Sequence, residues 1–388
     1  MRLSEAQVRQ GVLYPVEQVR LAAVGSFADA YSPDTSLMPM VIDAVKRYGR
    51  EGAFPLLRRA DSLAQCTESI DWIIAELDQD IDVDRVSYDN YRFALGLLLI
   101  KADPGLLVDR QTEILGARLF PKQLRDGFSE RLEMFTWSWE QGLSSLEAIL
   151  KQPRAFTMAD SRRVERIVEA LARHTNHADD VLSRLEKTTG GNGSHDLDSL
   201  EPFMVQLAGK MRLDAAVPVL IEKLLGSDLD VSDDCVTALG TIGTDEVVGA
   251  LRSVYWDADP EDRIGIIEPM ESVHTELAVD TLLELFHGEN NLEPAIYLGT
   301  VLLGKFDGRA IEPVRELILS NKDDEEHDPE LEDLRIELIV SCMLMDRYFP
   351  EFDAWKDRAE ACNWGWHDYV ESRIAKNFSE DDASDAVD

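Results

Sequence analysis

Histidine and cysteine supply much of the chemistry that a sequence can reveal by spacing, and in this chain they are few and scattered. Seven histidines occur in 388 residues, and only His174 and His177, in the run HTNH, stand close enough to act together. Residues three apart share a helix face, so this pair has the spacing to share a metal ion. Imidazoles near a helix end are also favoured by the last carbonyls, and that ordinary role is the expectation. The four cysteines, Cys66, Cys235, Cys342 and Cys362, form no CxxC pair. They read as buried or incidental thiols in a reducing compartment. No HExxH, phosphate-binding glycine loop, GxSxG or GxGxxG pattern is present. No catalytic residue, metal site or cofactor is therefore expected.

Carboxylates are the abundant chemistry. Asp and Glu number 75 against 39 Lys and Arg, a net charge of −36 with a pI near 4.5. Chance pairs are inevitable at that density, so no acid–base pair can be singled out. The run Asn321-KDDEEHDPELED has no glycine for a calcium loop and reads as a charged, solvated connection. Such a chain repels phosphate backbones and anionic lipid, which excludes generic nucleic-acid and membrane-surface binding. The acid is also uneven: residues 1–194 carry 24 basic and 29 acidic residues, and residues 195–388 carry 15 and 46. Acidification for a salt-rich cytoplasm would show in both halves, although 28 Arg against 11 Lys keeps a salt-adapted or GC-rich source as a lesser alternative.

Two Trp pairs and one basic stretch complete the candidates. Residues 128–151 read as part of one helix, 122–151, whose face of Leu132, Phe135, Trp139, Leu143, Leu146 and Leu150 puts Trp139 in the core. Trp137 falls beside Met134, either buried against a second neighbour or lining a groove. Trp364 and Trp366 precede a last helix and would seal the end of a stack. Lys151, Arg154, Arg162, Arg163, Arg166 and Arg173 would face the acidic second half, within one molecule or across a homodimer.

The elements that must position these residues are helices. Further helices are expected at 16–30, 37–49, 53–64, 67–79, 90–102, 110–117, 159–174 and 178–187, with Thr67 capping the fourth of all. No strand alternation occurs. In the second half four segments align at Asp214, Asp245, Glu276 and Arg309, spaced 31, 31 and 33 residues apart. Each is followed by a polar break and a second apolar segment, starting near Ser232, Glu261, Glu293 and Glu330. This is the pattern of stacked helical hairpins. Ala238, Gly240, Gly265, Ala295 and Gly299 would let second helices approach closely. Pro218 and Pro313 either open or kink the first helices.

The stretch 214–251, and ALGTIGTDEVVGAL above all, resembles a short HEAT repeat of the bilin-lyase-like kind. The arginine such repeats often carry early in the second helix is replaced here by Ser232-Asp233-Asp234. The resemblance implies an all-α fold, an α-α superhelix of the HEAT/armadillo-like right-handed solenoid type. The expected organisation is a degenerate helical region at 1–187, a Gly-rich linker at 188–196, HEAT-like repeats with a terminal cap at 197–378 and a disordered acidic tail at 379–388.

These readings converge on a cytoplasmic, non-enzymatic scaffold for protein–protein interaction whose acidic surface captures a basic partner segment. The candidate contact residues are Asp230, Asp233, Asp234, Glu261, Asp262, Glu268, Glu271 and Trp137. The N-terminal stretch MRLSEAQVRQGVLYP has no apolar signal region, and the longest apolar run, Phe93–Ile100, is too short to cross a bilayer. The alternatives are a HEAT-like enzyme, of bilin-lyase type or an unrecognised hydrolase, and a regulatory subunit that binds through apolar patches.

Overall fold

The computed structural model describes residues 2–79, 85–152, 157–188, 200–226, 229–321 and 329–361. Among the described residues the chain is all-α, with 21 α-helices and one isolated β-bridge, Arg2 to Asp307. The first half holds α1 (Glu5–Gly11), α2 (Glu17–Asp29), α3 (Leu37–Tyr48), α4 (Ala53–Arg59), α5 (Thr67–Asp78), α6 (Arg85–Lys101), α7 (Gln111–Gly116), α8 (Arg125–Met134), α9 (Trp139–Leu150), α10 (Met158–Ala172) and α11 (Ala178–Thr188). The second holds α12 (Glu201–Lys210), α13 (Val217–Gly226), α14 (Leu229–Ile242), α15 (Asp245–Val254), α16 (Arg263–Glu271), α17 (Glu276–Gly288), α18 (Leu292–Leu303), α19 (Ile311–Ser320), α20 (Pro329–Met345) and α21 (Phe352–Ala361).

Four aligned repeats become four helix pairs, α13–α14, α15–α16, α17–α18 and α19–α20. Pro218 and Pro313 fall in the first turns of α13 and α19, where an N–H has no helical partner to lose, so both open their helices. Helix 122–151 is a correction: the chain breaks between α8 and α9. Ser138 and Gln141 form a reciprocal capping box, each side chain meeting the other's backbone N–H, and this restarts the helix at Trp139. The same device, Ser4 with Gln7, starts α1, which apolar periodicity alone misses. At α5 the cap lies one residue before Thr67: the Cys66 N–H donates to Ser69 Oγ at 2.9 Å.

Even-numbered helices pack on one another in order: α2 on α4, α4 on α6, and α8, α10, α12, α14, α16, α18 and α20 in turn. The short turn Lys122–Leu124 touches both α6 and α8 and joins the two runs. Finally α20 packs back on α2, so the row of even helices closes on itself. A backbone bond, Leu3 N–H to the Phe306 carbonyl at 3.0 Å, ties the same two regions together. Odd helices lie alongside, with α15 touching both α13 and α17.

Two apolar cores follow this division. One runs through α1–α8 and takes in Phe306 and Met345 from the second half; the other runs from α9 onward and takes in Val19 and Met134. Burying a phenylalanine such as Phe306 contributes ~2–3 kcal/mol, so closure has an apolar basis as well as a polar one. Helices α12 and α14 approach closely, where a Cβ on Gly209 would stand 2.6 Å from Ala238 Cα. Gly265, expected to serve similarly, faces open space.

Within the molecule, four residues of the basic stretch engage the first half and not the acidic half. Arg163 and Arg166 pair with Glu130, Lys151 with Glu147, and Arg173 lies on the Phe135 ring and carbonyl, all within the first half. Local neighbours on α8 and α9 neutralise these cations. Arg154, residues 189–196 of the linker expected at 188–196, and the stretch 362–388, with Cys362, Trp364 and Trp366, lie outside the described residues. Among the described residues no helix is long and apolar enough to cross a membrane.

Candidate functional site: a chamber where the helical row closes

Closure brings α2 and α4 against α16, α18 and α20, and the space between them is a polar chamber. A cavity of about 110 Å³ is lined by Leu21 and Asp29 of α2, Arg59 of α4, Glu271 of α16, Lys305 after α18 and Glu337 of α20, among others. A wider recess of about 440 Å³ shares Asp29, Arg59 and Glu271 with it. That recess opens between Arg58, Asp61 and Lys101 on one side and Thr237 and Glu268 on the other.

The two walls are electrostatically unequal. On the first-half wall every cation has a carboxylate: Arg59 with Asp29 at 2.5 Å, Arg58 with Asp61 at 3.1 Å and Lys101 with Asp61 at 2.8 Å. On the second-half wall the carboxyls of Glu268, Glu271 and Glu337 take part in no hydrogen bond or ion pair among the described residues. Glu268 and Glu271 keep solvent exposure and Glu337 is half-buried, yet the protein around them raises the affinity of all three for protons. Burial raises the pKa of Glu268, with Asp233 adding to it, and raises that of Glu271, with Asp29 adding to it. Burial pushes Glu337 up to about 7, against an opposing pull from Arg59. Asp29 is also raised by burial, in spite of Arg59.

Lys305 is the inverse case. Its side chain is 3% exposed, and its Nζ donates to one acceptor, the Glu271 carbonyl, at 2.5 Å. Burial lowers its pKa to about 7, while Glu271 and Asp29 partly restore the charge. Beside it, burial holds His274 well below the usual imidazole range, reinforced by Lys305 and Arg2. The Arg2 guanidinium donates to the His274 carbonyl at 2.8 Å and pairs with Glu276 at 3.3 Å.

Of the residues expected to meet a partner, Glu268 and Glu271 line the chamber, and Asp233 lies near enough to Glu268 to act on its charge. Asp234 accepts from Gln206 Nε2 at 2.9 Å, a bond between α14 and α12. Glu261 and Asp262 are exposed at the opposite end of α16. Trp137 is half-buried against the second core, and its carbonyl stands 3.1 Å from His174 Nε2. The side chain of Asp230 lies outside the described residues.

His174 and His177 are engaged with tryptophan. The His177 ring stacks on Trp139 at 4.6 Å between centroids, and His174 meets Trp139 edge-on at 6.4 Å. Among the described residues no group of three or more His, Cys, Asp or Glu is placed to hold a metal ion. Cys235 and Cys342 are buried, and burial pushes both thiols up to about 12, which leaves them unreactive at neutral pH.

Spacing alone did not point to Asp29, Arg59, Lys305 or Glu337. A local signal existed for two of them: Lys305 interrupts VLLGKF, and Glu337 interrupts IELIV, each a charge inside an otherwise apolar run. A charge kept within core-forming sequence has either a partner or a cavity. Compared with known proteins, the chain matches no protein-family model and no curated protein.

Proposed function

We propose that this protein is a non-enzymatic interaction scaffold, an α-α superhelix of HEAT-like right-handed helical hairpins, whose acidic inner face captures a Lys/Arg-rich segment of a protein partner. The observation that carries this reading is the imbalance across the chamber. Glu268, Glu271 and Glu337 form no ion pair among the described residues, while every cation of the facing wall is already paired. A guest ammonium or guanidinium would supply the missing charge and restore the ionised state of carboxyls that burial now protonates more readily.

The net charge of −36 supports fast encounter with such a segment. The reading places the protein in the cytoplasm, with nucleic acid and lipid excluded by the sign of its field. Titration of the full chain with a fluorescent Lys/Arg-rich peptide, from low to high salt, tests it. Affinity should fall at least tenfold as salt rises. Equal binding of a neutral peptide, or binding indifferent to salt, would overturn the proposal.

A further inference from the structure

A buried ammonium normally has three acceptors or a carboxylate partner. Lys305 has neither: one carbonyl accepts from it, and no ion pair reaches it among the described residues. It also borders a cavity of about 110 Å³, room for a molecule of a few heavy atoms. An anion is disfavoured there, because Asp29, Glu271 and Glu337 line the same space. In this inner cavity a cation would also face Lys305 and Arg59, whereas the wider recess, which Lys305 does not line, leaves Glu268 and Glu271 open to a cationic side chain. What fits is a small neutral compound with a polar end, seated among Leu21, Ala22, Val301 and Val340.

We propose that Lys305 is a nucleophilic amine that takes small aldehydes as a covalent imine inside this cavity. The Lys305 nitrogen lone pair forms a bond to the carbonyl carbon, and a proton passes from nitrogen to the former carbonyl oxygen, giving a carbinolamine. Loss of that hydroxyl as water leaves a C=N bond, with no net oxidation or reduction. Glu271 and Asp29 act on the charge of Lys305, and the raised proton affinity of Glu271, which has no ion-pair partner among the described residues, suits it to hand a proton to the departing hydroxyl. The depressed basicity of Lys305 leaves far more of it as free amine at neutral pH than an ordinary lysine, of which roughly 1 in 2,500 is unprotonated. Its bond to the Glu271 carbonyl, at the end of α16, is the ordinary helix-capping role, and the amine keeps that role until it reacts.

The test uses the full chain, acetaldehyde and cyanoborohydride, which donates hydride to the imine and fixes it as a secondary amine. Peptide mapping by mass spectrometry then reads modification at each of the 11 lysines. Lys305 should be modified at least tenfold faster than any exposed lysine at pH 7, with a rate that levels off above about pH 7. Modification of the exposed lysines with Lys305 untouched, or modification of Lys305 only in denaturant, would overturn the proposal. Lys305→Met, which replaces a buried charge with an apolar chain of similar length, should abolish the fast component and leave the exposed sites unchanged. Peptide capture by the acidic wall is measured separately, so failure of one leaves the other standing.

Discussion

Arg59 reaches Asp29 by lying across Gly25, and the two charges meet at 2.5 Å because α2 carries no side chain at that point. A Cβ on Gly25 would stand 2.4 Å from both Nε and Nη2 of Arg59. Gly25→Ala should therefore displace the guanidinium and leave Asp29 without its partner. The gain in helix propensity, up to ~1 kcal/mol, is smaller than the cost of a half-buried orphaned carboxylate. A net loss of about 2 kcal/mol is expected in denaturant unfolding. Combining Gly25→Ala with Asp29→Asn should recover most of it, because the carboxylate that loses its partner is then gone.

Lys305 and Glu337 impose opposite pH dependences on stability. Between about pH 7 and 10.5 the unfolded chain holds a proton on Lys305 that the folded chain has released, so stability rises with pH. Between 4.5 and about 7 the folded chain holds a proton on Glu337 that the unfolded chain has lost, so stability falls as pH rises. Together they place a shallow minimum near neutrality. Lys305→Met should stabilise most at and below pH 7, and Glu337→Gln most above it, each on the order of 1–3 kcal/mol. Unfolding free energies measured from pH 5 to 9 will show either two removable limbs or none.

Glu289 behaves conventionally. Burial works against its charge, but the Asn291 backbone N–H at 2.9 Å, the Tyr255 hydroxyl at 2.7 Å and Arg263 at 2.9 Å outweigh it and hold its pKa at about 2. Its stabilisation is complete above pH 4.5 and is lost as pH falls towards 2. Glu289→Gln should cost on the order of 2–3 kcal/mol at pH 7 and make acid unfolding shallower in that window. Circular dichroism across an acid titration reads both effects.

The capture of a basic segment predicts a positional effect of charge. Glu268→Lys with Glu271→Lys should weaken peptide binding at least tenfold, about 1.4 kcal/mol. Glu261→Lys with Asp262→Lys changes net charge equally but at the far end of α16, and should leave affinity within about twofold once the long-range field is screened by salt. Equal losses from both pairs would mean that the field acts as a whole and the chamber has no special part.

The helical hairpins were legible because each apolar segment repeats its spacing and because Pro218 and Pro313 mark first turns. At two places backbone capping departs from the apolar pattern. Ser138 and Gln141 override a continuous apolar face, and Ser4 with Gln7 nucleates a helix too short to show periodicity. Glu268 and Glu271 were named for their charge, yet no spacing relates them to Asp29 or Arg59, more than 200 residues earlier. Those partners meet only because α20 returns to α2. Tertiary closure of that range leaves no trace in local pattern, except where a lone charge such as Lys305 or Glu337 interrupts an apolar run.

The return of α20 to α2 also changes how the molecule comes apart. An open row of repeats loses its terminal units first, since each end has one neighbour where interior units have two. A closed row has no such weak end, so fraying requires breaking two contacts at once, and unfolding becomes more nearly all-or-none. The same closure joins residues about 300 positions apart, a loop whose entropy must be lost late in folding. The seam is therefore where slow assembly and shared stability coincide, and detaching α1 and α2 should let α20 and its neighbours exchange their amide protons early.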